Sequence, residues 1–184
     1  MEHGAIRDSY TAASRVSGAG LTDMLDVRAL ANEILDEADS QGISVTNMAV
    51  NKIVYFVHCD YLVENKQPLV RAKIEAWQHG PVFREVYHEF KKWGDAPILS
   101  RAVKVDPDTG EAIVAKATFG HNERAYIKDL INRYIGFSAA HLRAISHVEG
   151  GPWHKVWGHD GKTNPGMKIT DDLIFRHYST EARQ

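Results

Sequence analysis

The sequence predicts a mainly α-helical α+β domain, a single compact unit of about six helices with one β-hairpin. Apolar residues recur at helical spacing through most of the chain, and Gly, Ser or Thr stands where each stretch begins or ends. One pair of β-like stretches, residues 98–106 and 112–118, flanks Pro107-Asp-Thr-Gly110, a turn by composition. At 184 residues, 43% hydrophobic and 25% charged, the chain suits one globule with a sizeable core.

The elements follow in order. Residues 1–22 are rich in Ser, Ala and Gly, lack apolar periodicity and read as a flexible tail; residues 23–184 form the domain. Over residues 26–42, Val27, Leu30, Ala31, Ile34, Leu35 and Ala38 make one stripe, with Asp26 as cap and Gly42 as stop. Residues 48–64 are apolar on most of their circumference, which makes this helix central. Residues 69–77 are extended. Gly80-Pro81 then reads as a sharp helix start, because Pro81 suits a first helical position and disfavours the α region at Gly80. Val82, Val86, Phe90 and Trp93 continue that helix to Gly94, and on this reading His79 needs no chemical role. After the hairpin come a helix over 122–135, a short one capped by Ser138, a turn carrying Trp153 and Trp157, and a last helix capped by Thr170.

Composition removes several function classes. The net charge is −2 and the longest basic cluster is Lys91-Lys92, so the basic footprint of a nucleic-acid binder is missing and nucleic acid is not expected as a partner. Cys59 is the single cysteine, which excludes an internal disulfide and a cysteine-cluster metal site and suits a reducing cytosol. No stretch reads as a signal peptide or a membrane span, so a cytoplasmic location without a membrane partner is expected.

Ten histidines are the compositional anomaly. His147-Val-Glu149 matches half of a zinc-deaminase signature, whose P-C-x-x-C half needs two cysteines. No H-E-x-x-H occurs, and neither His154/His159 nor His141/His147 has the i, i+4 spacing that places two ligands on one helix face. A cluster of His147, His154, His159 and Asp160 in a metal-dependent hydrolase is the alternative, against surface or hydrogen-bonded histidines; a DNA-binding regulator is the other. Cys59 and His58 point about 100° apart on a helix and make a poor nucleophile–base pair. G-x-S-x-G, P-loop and G-x-G-x-x-G motifs do not occur. The reading is therefore a non-enzymatic protein with no cofactor and no metal. Trp77, Tyr87, Trp93, Trp153 and Trp157 divide between core packing and partner anchoring.

Three ordered motifs carry a family resemblance: Lys52, Tyr55 and Phe56 of VTNMAVNKIVYFVHCDYLVENKQPL; Ala76, Trp77, Gly80, Pro81 and Val82 of IEAWQHGPVFREVYHEFKKWG; and Ser146, His147, Pro152 and Trp153 of LRAISHVEGGPWHKVW. Over residues 26–157 the chain resembles the Panacea or SocA-like antitoxin family, whose motifs are a Lys-x-x-Tyr-Phe helix, an Ala-Trp-x-x-Gly-Pro-Val corner and a Ser-His-x-x-x-x-Pro-Trp element. Here four residues, Val148 to Gly151, stand between His147 and Pro152. The resemblance implies a bacterial or phage antitoxin that neutralises a cognate toxin protein by direct contact. It also implies, for some members, delivery of the toxin to a cytosolic AAA+ protease. An N-terminal DNA-binding segment of the kind many members carry does not fit a tail of this length, so autorepression is not expected. The partner-binding residues expected are Arg84, Glu85 and His88, on the polar side of the helix after the corner, with His154 and Lys155 as second choice.

Overall fold

The computed structural model describes residues 24–158 and 165–181. Among them are seven α-helices and five short strands, in the order α1 (Val27–Ser40), α2 (Asn47–Asn65), β1 (Ile74–Trp77), β2 (Gly80–Phe83), α3 (Arg84–Phe90), β3 (Val103–Val105), β4 (Ala112–Val114), α4 (His121–Asn132), α5 (Ala139–Ser146), α6 (Pro152–Trp157), β5 (Lys168–Ile169) and α7 (Asp171–Glu181). The α+β, mainly helical class is as the sequence predicts. The tail, His159 and Asp160 lie outside the described residues.

Helix α2 is the axis of the domain. Val50, Ile53, Val54 and Val57 are buried, and the helix touches α1, α3, α4, α5, α7 and β2. Burying a side chain of this kind contributes about 1.5–3 kcal/mol relative to leaving it in water, so a helix wrapped on every side anchors the rest. Its ends are locally encoded: Thr46 Oγ1 accepts from the Ala49 amide at 3.3 Å, and Lys66 closes the C-terminus in the left-handed conformation. The caps read from the sequence also hold. Asp26 accepts from the Arg28 amide at 2.9 Å, Ser138 from the His141 amide at 3.1 Å, and Gly42 follows α1 at φ +67°.

The corner differs from the sequence reading. Gly80-Pro81 does not begin a helix. It opens β2, which pairs antiparallel with β1 in the register Trp77↔Gly80, Ala76↔Pro81, Glu75↔Val82, Ile74↔Phe83. Gln78 and His79 form the exposed turn, β5 pairs on the far side of β1, and α3 begins only at Arg84. The reason is that proline is also admitted on an edge strand, where its missing N–H points away from the ladder. Strand β2 is such an edge, in the order β2-β1-β5. Val82 and Phe83, read as the start of a helical stripe, are buried strand residues instead.

The edge of β2 is covered by side chains of α2. Lys52 Nζ donates to the Pro81 carbonyl at 2.8 Å, and the Phe83 amide donates to Asn51 Oδ1 at 3.1 Å. Asn51 is in turn held by the Asn47 carbonyl oxygen and side chain, and Asn47 donates to the Tyr87 carbonyl at 3.2 Å. Three polar residues buried in the central helix thus take the place of a neighbouring strand.

The second sheet is the expected hairpin, shorter than the β-like stretches. It pairs Val103↔Val114, Lys104↔Ile113 and Val105↔Ala112, and the Asp106 carboxylate orders the turn by accepting the Asp108 and Thr109 amides. Its base is fastened to α1. Asn32 donates to the Ala102 and Ala115 carbonyls and accepts from the Ala102 amide. Arg101 pairs with Asp36 and Asp39.

Candidate functional site

The three motifs, far apart in the chain, converge on one buried junction. A Cβ built on Gly80 would lie 2.8 Å from Lys52 Cε, 2.8 Å from Ser146 Oγ and 2.9 Å from His147 Cε1, so the helix α2 motif, the corner and the α5 motif meet at a position with no room for a side chain. Gly80 also sits at φ +106°, because Gln78 and His79 both keep negative φ and the positive φ falls on the residue after them.

Lys52 is 1% exposed, donates to the Pro81 carbonyl and forms no ion pair with a carboxylate among the described residues. Burial, with a smaller contribution from the Arg143 cation, lowers its ammonium to about 7. Ser146 Oγ donates to the Arg143 carbonyl at 2.8 Å, and His147 Nδ1 lies 2.6 Å from the same oxygen, which requires the proton on Nδ1. Burial holds His147 below its ordinary value, with the Arg143 and Lys52 charges acting the same way and the Arg143 and Gln78 carbonyls opposing.

The third motif closes the junction from outside. The Trp153 ring lies 3.7 Å from that of His147, and its indole N–H donates to the Trp77 carbonyl at 2.8 Å. Gly151 and Pro152 start α6, and Trp157 stacks on Trp153 at 5.8 Å while 38% exposed. On the other side Trp77 donates to Glu75 at 2.9 Å and meets the Tyr87 ring at 4.9 Å. Lys52, Tyr55, Gly80, Pro81, Pro152 and Trp153 are all buried and Trp77 half-buried, so the motif residues make a scaffold.

The expected partner residues lie around this scaffold. Arg84, Glu85 and His88 are exposed on α3, with Arg84 Nη1 3.9 Å from Glu75 Oε1. Glu85 lines a shallow depression of about 310 Å³ with Met24, Asp26, Arg28 and Arg71. His154 and Lys155 are exposed on α6, and the His154 ring nitrogen Nδ1 accepts the Gly150 amide at 3.2 Å. The α3 and α6 groups are joined through β1, by Arg84–Glu75 and Tyr87–Trp77 on one side and Trp153–Trp77 on the other.

The histidines divide among separate tasks. His147 packs in the junction, His154 caps a turn, and His58 is buried with Nε2 3.0 Å from Asp171. No group of three or more His, Cys, Asp or Glu side chains suited to a metal ion occurs among the described residues. Cys59 is buried, and burial pushes its thiol up, away from the thiolate a nucleophile needs. No helix among the described residues is long and apolar enough to cross a membrane. Sequence reasoning missed Asn47 and Asn51; their signal was a pair of amide side chains four apart in a helix that is apolar on most of its circumference.

Comparison with known proteins gives a consistent picture. The family model described as "Antitoxin SocA-like, Panacea domain" matches residues 50–154, more than half of the chain. Antitoxin SocA of Caulobacter vibrioides (strain NA1000 / CB15N) is 35% identical over 151 residues, covering 82% of this chain and 80% of that protein. No solved structure matches.

Proposed function

The chain belongs to the SocA-like Panacea antitoxin family, and from that premise we propose that it neutralises a cognate toxin by direct protein contact, without catalytic turnover, through the exposed side chains that its buried motif junction presents. The observation that carries this reading is the division of labour just described. Most motif residues are buried and interlocked, with Trp77 and His147 half-buried at their edge, whereas Arg84, Glu85, His88, His154 and Lys155 are solvent-facing. A rigid scaffold lowers the entropy cost of ordering an interface, and Trp77, Tyr87 and Trp157 supply half-buried or exposed aromatic anchors of the type that dominates interface energetics.

The same contact serves masking of the toxin or its presentation to a cytosolic AAA+ protease, and the toxin's half-life in cells with and without the antitoxin separates the two. The test of the contact is charge reversal at Arg84→Glu with Glu85→Lys, in a strain expressing the cognate toxin. Both positions are exposed, and an ion pair such as Arg84–Glu75 contributes only about 0–1 kcal/mol to stability. The double variant is expected to melt within a few degrees of the parent and to lose growth rescue and co-purification. Full rescue by a folded double variant moves the interface off α3; failure of the parent to bind or rescue against its cognate toxin defeats the antitoxin reading.

A further inference from the structure

The hairpin β3–β4 is the least ordinary surface of the molecule. Five of its six strand residues are apolar, and Val103, Val105, Ile113 and Val114 are 37%, 68%, 37% and 43% exposed. Val103, Val105, Ala112 and Val114 share one face, because directly paired residues of an antiparallel ladder point the same way. A continuous apolar strip held in water marks a contact site more often than chance surface.

The ladder shows what kind of contact fits. The Ala115 amide donates to the Ala102 carbonyl, and the Asp106 amide to the Glu111 carbonyl. By the alternation of an antiparallel pair, Lys104↔Ile113 is then a hydrogen-bonded pair, while Val103↔Val114 and Val105↔Ala112 turn their amides and carbonyls outward. On β3 the outward Val103 amide is taken by Glu89. On β4 the outward groups of Ala112 and Val114 bond to no protein group among the described residues. Exposed edges are usually blunted by proline, lysine or a bulge, and β4 has none of these.

We propose that the outer edge of β4, with the apolar face it shares with β3, takes an extended strand of the toxin by β-strand addition. This rests on the antitoxin reading. Charge gives the chemistry of the occupant: Asp108 and Glu111 are exposed at the hairpin tip and form no ion pair among the described residues, and Lys116 is exposed at the other end of β4. The complementary strand is apolar at alternate positions, basic at the end beside the tip and acidic at the end beside Lys116. Asn32 and the Arg101 ion pairs fasten the hairpin base to α1, so the edge is presented in a fixed position.

The test separates backbone pairing from side-chain contact. The amide of Val114 points outward, so Val114→Pro removes the docking donor and leaves the hairpin ladder whole; Val114→Ala trims the side chain and keeps the donor. Affinity for the purified cognate toxin is measured by calorimetry for both variants, with melting temperatures alongside, and Ala112→Pro repeats the logic at the other outward amide. Amide exchange at Ala112 and Val114 is measured in the wild-type complex, which needs no variant. The expected result is an affinity loss of about tenfold or more for both proline variants, a smaller loss for Val114→Ala, unchanged melting, and slowed exchange at both amides. Proline variants that bind like the parent, or equal losses for Val114→Pro and Val114→Ala, overturn the proposal while leaving the antitoxin reading in place. A parent homodimer that Val114→Pro dissociates without loss of toxin affinity assigns the edge to a second copy of the chain instead. A parent that binds no toxin defeats both.

Discussion

Gly80→Ala is the sharpest probe of the motif junction, because one methyl group meets two separate obstacles there. The backbone sits at φ +106°, where a residue with a Cβ is strained by about 1–3 kcal/mol. The new methyl would also approach Lys52 Cε, Ser146 Oγ and His147 Cε1 to 2.8–2.9 Å. None of the three yields easily: Lys52 is buried and held by the Pro81 carbonyl, and Ser146 and His147 are both tied to the Arg143 carbonyl. Overpacking of this kind costs about 1–3 kcal/mol. The sum is about 2–6 kcal/mol, which for a domain of this size lowers the melting temperature by roughly 5–20 °C. Thermal unfolding followed by circular dichroism reads it directly. His79→Ala is the control, since His79 lies in the exposed turn and its loss is expected to stay within about 0.5 kcal/mol. A Gly80→Ala protein that melts within about 2 °C of the parent would show that the three motifs do not lock at this point, and the scaffold argument would fall with it.

Two further expectations concern buried charge. Lys52 titrates near 7 in the folded protein and near 10 when unfolded, so over that window the unfolded chain holds the extra proton and stability rises with pH, by at most about 1.4 kcal/mol per unit. Lys52→Met is expected to flatten this slope relative to the parent between pH 7 and 10 in denaturant titrations; parallel slopes would show that the amine stays charged in the fold. Arg133 bonds Asp60 at 3.1 Å and Glu64 at 2.8 Å, and burial raises the Asp60 carboxyl to about 6 despite the Tyr134 hydroxyl and Arg133 beside it. Because a raised carboxyl stabilises the fold when protonated and loses that contribution as pH climbs through its folded value, Arg133→Met should cost about 3 kcal/mol near pH 7.5 and clearly less near pH 5. An equal cost at both pH values would place the Asp60 charge in solvent.

Local signals gave the helices, and long-range ones decided the corner. Caps at Asp26, Ser138 and Thr170, the stop at Gly42 and the all-round apolar α2 depend on residues close in sequence, and each stands where the pattern puts it. Gly80-Pro81 is different, because a proline after glycine suits a first helical turn and an edge strand equally well. What selects the strand is the partner β1 on one side and α2 on the other, where Asn51 bonds Phe83 from 32 residues away and Lys52 bonds Pro81 from 29. The same limit hid the role of Lys52, a charge that looks misplaced on an apolar helix until the Pro81 carbonyl is brought to it. At the candidate interface, Arg84, Glu85, His88, His154 and Lys155 were legible as solvent-facing. The open edge of β4 was not legible, because outward-pointing amides follow from register, which the sequence of a short hairpin does not specify.

The burial of the motif residues has a consequence for partner choice. Tyr55, Phe56, Ala76, Val82, Ser146 and Trp153 are all under 9% exposed, so substituting them acts on toxin binding only by way of the fold. The polar side of α3, the His154–Lys155 turn and the β4 edge contain no motif residue, and of the motif residues Trp77 and His147 reach solvent in part. A protein built this way exchanges partners by changing exposed side chains around an unchanged junction, since surface substitutions away from packed features usually alter stability by less than about 0.5 kcal/mol. Specificity is then free to vary at little cost in folding, through attraction to one partner and charge repulsion against others. On the proposed reading, the identity of the toxin is then set by the exposed side chains around the motif junction rather than by the motif residues themselves.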